Sequence, residues 1–136
     1  MTEHRPWFKS FPDDVPKTLQ PYPGKSLFRL LEESAQRFAE RPAIAWFGRH
    51  ISYGELLRET ERFSAVLASL GVKQGDRVGL ILPNCPQYVI AYYATVRLGA
   101  IIVGNNPLYT QRELAHQLND AGSDVVVVLD QLFANL

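Results

Sequence analysis

Few side chains stand where chemistry would need them. Cys85 is the single cysteine in 136 residues and lies in the stretch PNCPQ (83–87). A thiolate at a helix start is activated by the free amides there, but no histidine lies nearby in sequence to act as its base, so Cys85 reads as a structural thiol. His4, His50 and His116 are far apart and lack metal-ligand spacing. Asp13 and Asp14, like Glu32 and Glu33, are adjacent. Neighbouring side chains diverge on either a helix or a strand, so neither couple is a ready acid–base pair. Tyr88, Tyr92 and Tyr93 recur at helical spacing and read as core and interface, not as a stacking platform, because no basic groove accompanies them.

The remaining chemical question is phosphate. VGLILPNCPQYVIAYYATVRLGAIIV (78–103) runs from an apolar strand straight into a helical pattern and out into a second strand. A helix start at the carboxyl end of a parallel strand offers unpaired N–H groups and a positive dipole end. Tight phosphate cradles also need glycines to bring the backbone close. PNCPQ has none and carries two prolines that cannot donate. Neither GxGxxG nor GxxxxGK[ST] occurs in the chain. The turn therefore reads as a cap that launches a covering helix, with Asn84 as the expected capping residue and Pro86 in the first turn.

Composition narrows the class. Hydrophobic residues make up 46% and charged residues 21%, a globular balance. Fourteen basic residues match fourteen acidic ones, which gives no electrostatic case for nucleic acid and little protection against self-association. One cysteine excludes an internal disulfide and fits a reducing compartment. No run has signal-peptide or membrane-span length, so the expected location is cytoplasmic.

The elements that must position any site follow from periodicity. Residues 1–25 hold five of the nine prolines and read as an extended arm that Trp7, Phe8, Phe11 and Tyr22 pin to a body. Residues 26–136 form that body. Ser26 opens a helix with Leu27, Leu30, Leu31, Ala35 and Phe38 as its stripe. AIAWFGRHIS predicts a hairpin around a Gly48-Arg49 turn. SYGE (52–55) is a capping box, as is TQRE (110–113). The first starts a helix with Leu56, Phe63, Val66, Leu67 and Leu70 inward, a solvated face of Glu55, Arg58, Glu59, Glu61 and Arg62, and Gly71 at its end. The second starts a helix with Leu114 and Leu118 inward that stops near Gly122. From Val78 the order is strand, helix, strand, helix, strand. The fold class is α/β, a partial doubly wound parallel sheet (βαβαβ) with flanking helices and an N-terminal arm. Three apolar strands need layers on both faces, and the helices available are too few to supply them.

Several motifs together resemble the N-terminal part of the adenylate-forming superfamily of acyl-CoA synthetases, luciferases and peptide-synthetase adenylation domains. They are Tyr53 with Glu55-Leu56, Leu70-Gly71-Val72, Gly75-Asp76-Arg77-Val78, Leu82-Pro83-Asn84, Leu98-Gly99-Ala100, Asn106-Pro107 and Arg112-Glu113-Leu114. NPLYTQRELAHQLNDAG (106–122) and the leader WFKSFPDDVP (7–16) are similar to bacterial long-chain fatty-acid–CoA ligases in particular. The resemblance implies a parent enzyme that uses ATP and Mg²⁺ to convert a fatty acid to an acyl-adenylate with release of pyrophosphate, after which CoA displaces AMP.

In that family the phosphate loop, metal-binding Glu and catalytic Lys come later in the chain, and none of those motifs is present here. No residue is therefore assigned a catalytic, cofactor-binding or metal-binding role, and the segment alone is expected to be inactive and to bind no cofactor. The resemblance places the loop 104–110 near the CoA channel, within reach of Asn105, Asn106 and Tyr109. The competing and preferred account makes that loop a turn fixed by Pro107 and the Asn side chains. The implied partners are the remainder of a parent chain, fatty acid, ATP and CoA, with a homodimer through the arm or the exposed sheet face and peripheral membrane association left open. Two alternatives remain: a segment of a medium-chain or aryl carboxylate–CoA ligase, and a stand-alone α/β interaction module.

Overall fold

The computed structural model describes residues 5–135. His4 lies outside the described residues. After a short 3₁₀ turn at Pro6–Ser10, the elements run α1 (Leu27–Phe38), β1 (Pro42–Trp46), β2 (Arg49–Ser52), α2 (Tyr53–Ser69), β3 (Arg77–Ile81), α3 (Pro86–Arg97), β4 (Ile101–Gly104), α4 (Gln111–Ala121) and β5 (Val125–Val128). A second 3₁₀ turn spans Asp130–Asn135. The hairpin β1–β2 is antiparallel, and the separate three-stranded sheet is parallel in the order β4-β3-β5.

Local chemistry sets the helix starts. Ser26 accepts from Arg29 N at the head of α1. At α2 and α4 both arms of the capping box close: Ser52 with Glu55, and Thr110 with Glu113. Gly122 ends α4 in the left-handed region at φ 64. At α3 the structure corrects the expectation: Cys85, not Asn84, is the N-cap, and its side chain makes no capping bond. Pro86 explains the shift. It takes the first helical position, where its missing N–H costs nothing, and that fixes the preceding residue as the cap.

The core sits on one face of the sheet. Val78, Leu80 and Leu82 pack with Leu67 of α2, Val72, Ala100, and Ala91 and Ala94 of α3. The opposite face is built around Gly79, where an added methyl would come within 2.8 Å of Leu118 of α4 and 3.4 Å of Val126. Successive crossovers thus leave on opposite faces, the mark of a doubly wound sheet. β3 is buried from Val78 onward, whereas every residue of β5 is half-buried.

Three expectations change. The hairpin turns at Phe47-Gly48, both with positive φ (45 and 76), as a two-residue turn matched to strand twist requires. In α1 only Leu31 and Ala35 are buried, while Leu27, Leu30 and Phe38 stay exposed. The arm does not use its aromatics to dock. Phe8 is packed by Trp7 and Phe11 and lies under Arg5 and Lys17, all within the arm, and Trp7, Phe11 and Tyr22 are exposed.

Candidate functional site

In a doubly wound sheet the place to look is the carboxyl edge where β3 and β4 send their helices to opposite faces. Two loops meet there, 82–85 and 105–110. The first is short and rigid: Pro86 is buried, and Tyr88 N already donates to Cys85 O at 3.1 Å. The second is tied down from within. Asn105 N donates to Leu80 O (2.9 Å), and Asn105 Nδ2 donates to Val103 O (2.8 Å). Asn106 Oδ1 accepts from Leu108 N (3.0 Å), an Asx turn, and Tyr109 N donates to Asn106 O (3.0 Å). Asn106 is exposed, Tyr109 half-buried, and Asn105 buried with its Oδ1 lacking a protein partner. The Asn side chains thus brace this turn from within.

The other candidates do not converge. Cys85 is half-buried beside Tyr88 and Leu82, with no base. His50 lies exposed on β2 and His116 exposed on α4. Asp13 and Asp14 are exposed. Glu32 pairs with Arg29, and Glu33 with Lys25 at 2.8 Å and with Arg29. The Lys25 hydrogen bond is the main reason that the Glu33 carboxyl titrates below the ordinary range. Tyr88 and Tyr92 line the core, and burial raises the Tyr93 phenol. Among the described residues no three His, Cys, Asp or Glu side chains gather as metal ligands.

Two features escaped the sequence analysis. Thr60, Ser64 and Thr95 are fully buried where α2 meets α3. Ser64 Oγ accepts from Arg97 Nη1 at 3.0 Å, and Arg97 also covers the Phe28 ring. Their spacing with Leu56 and Leu67 was the available signal, because small polar residues at i+4 and i+8 admit a neighbouring helix. The second feature is an apolar groove of about 540 Å³ at the carboxyl ends of β3 and β5, walled by Trp46, Phe63, Leu82, Ile90, Val127 and Leu129. It joins residues from five separate stretches, which no sequence period reveals.

Comparison with known proteins decides what this framework is. The pattern of the AMP-binding enzyme family matches residues 31–135. The chain belongs to the AMP-binding enzyme family. Its fold is that of the N-terminal subdomain of the adenylate-forming ligases. The chain is 42% identical over 133 residues to the long-chain-fatty-acid–CoA ligase of Bacillus subtilis, covering 98% of this chain and 24% of that protein. It is 41% identical over 124 residues to the ligase of the same name from Escherichia coli O157:H7, covering 90% and 22%. Among solved structures, the N-terminal subdomain of Klebsiella oxytoca NpsA in complex with anthranilyl-AMSN superposes with a TM-score of 0.73 at 28% identity, over 76% of this chain and 27% of that one. A Mycobacterium tuberculosis fatty acyl CoA synthetase gives 0.76 at 26%, over 80% and 22%. The chain thus spans about a quarter of the length of the curated relatives it matches.

Proposed function

We propose that this chain is the N-terminal scaffold of an ATP-dependent long-chain fatty-acid–CoA ligase and performs no ligation alone. The observation that carries this reading is 42% identity sustained over 98% of the chain. The parent reaction joins a fatty acid to CoA through an acyl-adenylate and draws on ATP and Mg²⁺. The residues present here do not fit those groups: the strand-to-helix turn at 82–86 lacks glycine, and among the described residues no carboxylate cluster gathers to hold a cation. No chemical step is therefore assigned to them. What the chain supplies is a parallel sheet with a stiff carboxyl rim against which reactive loops are held. The 42% and 41% matches to long-chain-fatty-acid–CoA ligases support this reading over a segment of another carboxylate–CoA ligase.

The test is a chimaera in which this chain replaces the matching quarter of the Bacillus subtilis ligase. Palmitoyl-CoA formation should be retained, while residues 1–136 alone should give no ATP–pyrophosphate exchange. A folded chimaera without ligase activity, or exchange by the isolated chain, refutes the assignment.

A further inference from the structure

One cation joins three helices without a carboxylate to receive it. Arg97 closes the last turn of α3, where a positive charge also suits the helix dipole. Its Nη1 donates at 3.0 Å to Oγ of Ser64 on α2, and its Cζ stands 5.4 Å from the centre of the Phe28 ring on α1. Among the described residues no Asp or Glu forms an ion pair with Arg97. Ser64 is fully buried, and its hydroxyl already donates to Glu61 O at 2.8 Å. Its oxygen lone pairs are therefore what it offers to Arg97. A charged donor makes this a stronger bond than a neutral one. The ring contact draws on the negative face of the phenyl group. A flat guanidinium can give an edge N–H to one partner and its face to the other at once, which the ammonium of lysine cannot.

The three helices are not held equally. The cluster that binds the sheet to α2 and α3 is built on Leu67, Val78, Leu80, Ala91 and Ala94 and contains no residue of α1. Of α1, Leu31 and Ala35 are buried, outside that cluster. Phe28 is the second residue of α1, the helix through which residues 5–25 join the body, and Lys25 reaches forward to Glu33 of the same helix at 2.8 Å. Arm and α1 are thus tied to each other by one contact, and α1 to the α2–α3 seam by another. A helix docked outside the main cluster can open while that cluster stays intact.

We propose that Arg97 is a latch that holds α1 on the seam between α2 and α3, and that α1 with residues 5–25 is a strap that docks and undocks as one unit. The Ser64 bond and the Phe28 contact form and break together, because a single guanidinium makes both. With the latch released, α1 leaves while α2, α3 and the parallel sheet stay folded. Every atom of the latch belongs to this chain, so the device stands apart from the ligase reading.

The test is native-state hydrogen exchange of the 136-residue chain in graded urea. The α1 amides should open together, with a larger opening constant and a shallower urea dependence than the amides of β3. Arg97→Met keeps the aliphatic stem and removes the charge and the N–H donors. It should raise the α1 opening constant about tenfold, the size expected for the loss of one charge-assisted hydrogen bond and one ring contact. Ser64→Ala and Phe28→Leu should each raise that constant several-fold in the wild type and less than about twofold in the Arg97→Met background, since the latch is then already gone. Arg97→Lys should recover only part of the loss. The proposal is overturned if α1 and β3 open with one common constant and urea dependence, or if Arg97→Met leaves α1 opening unchanged. It is equally overturned if the Ser64 and Phe28 changes act alike in both backgrounds, or if lysine restores the wild-type constant.

Discussion

Gly122→Ala tests how the end of α4 is locked to the start of β3. Gly122 holds φ 64 and ψ 49, and left-handed backbone costs a residue with a Cβ about 1–2 kcal/mol. The new methyl would also lie 2.6 Å from Arg77 Nη2 and 3.6 Å from its Cζ. Arg77 must then swing away, which breaks the bond from its Nε to Ala121 O at 3.0 Å. That bond lies on an exposed side chain, so its loss adds about 0.5–1 kcal/mol, below the range for buried charged donors. The expected total is about 1.5–3 kcal/mol, a large share of the roughly 5–15 kcal/mol that holds a domain together. Urea unfolding of the wild type, Gly122→Ala, Arg77→Ala and the double variant separates the two contributions. In the Arg77→Ala background the glycine change should cost only the backbone part, about 1–2 kcal/mol. Equal cost in both backgrounds would refute the contact with Arg77. A cost below about 0.5 kcal/mol would refute the left-handed cap itself.

Two further perturbations probe the caps and the hairpin. The Glu55 and Glu113 carboxyls titrate below the ordinary value of 4.5, chiefly because the backbone N–H groups of Ser52 and Thr110 donate to them. A lowered folded value means stability that is present above the ordinary value and is lost as pH falls through the folded one. The gap in urea midpoint between the wild type and Glu55→Ala with Glu113→Ala should therefore be full at pH 7 and shrink below about 4.5; a gap that does not change with pH counts against the caps. Phe47→Asn replaces a residue at φ 45 that is 87% exposed with one suited to the turn. It should raise stability by about 1 kcal/mol, and a drop would mean that the Trp46–Phe47 ring contact at 4.7 Å outweighs the strain.

What could be foreseen was what local chemistry determines. The two capping boxes, the Gly122 stop and the order of the last three strands each depend on a few neighbouring residues, and all stand as expected. What failed needed distant partners or a choice between equivalent neighbours. Asn84 is the better capping side chain, but the proline after Cys85 chose the cap. The apolar stripe of α1 is real, yet only Leu31 and Ala35 of it are buried. The arm's aromatics found one another instead of the body. The groove and the buried Thr60 and Ser64 arise where separate elements meet.

The same accounting applies to the backbone donors of the carboxyl rim. An anion-binding loop must hold spare N–H groups. In the loop 105–110 those of Asn105, Leu108, Tyr109 and Thr110 are already engaged, and Pro107 has none. A phosphate approaching here would have to displace protein hydrogen bonds worth about 1 kcal/mol each before gaining its own. A loop with most of its backbone N–H groups engaged is stiff, and stiffness is what a supporting rim requires.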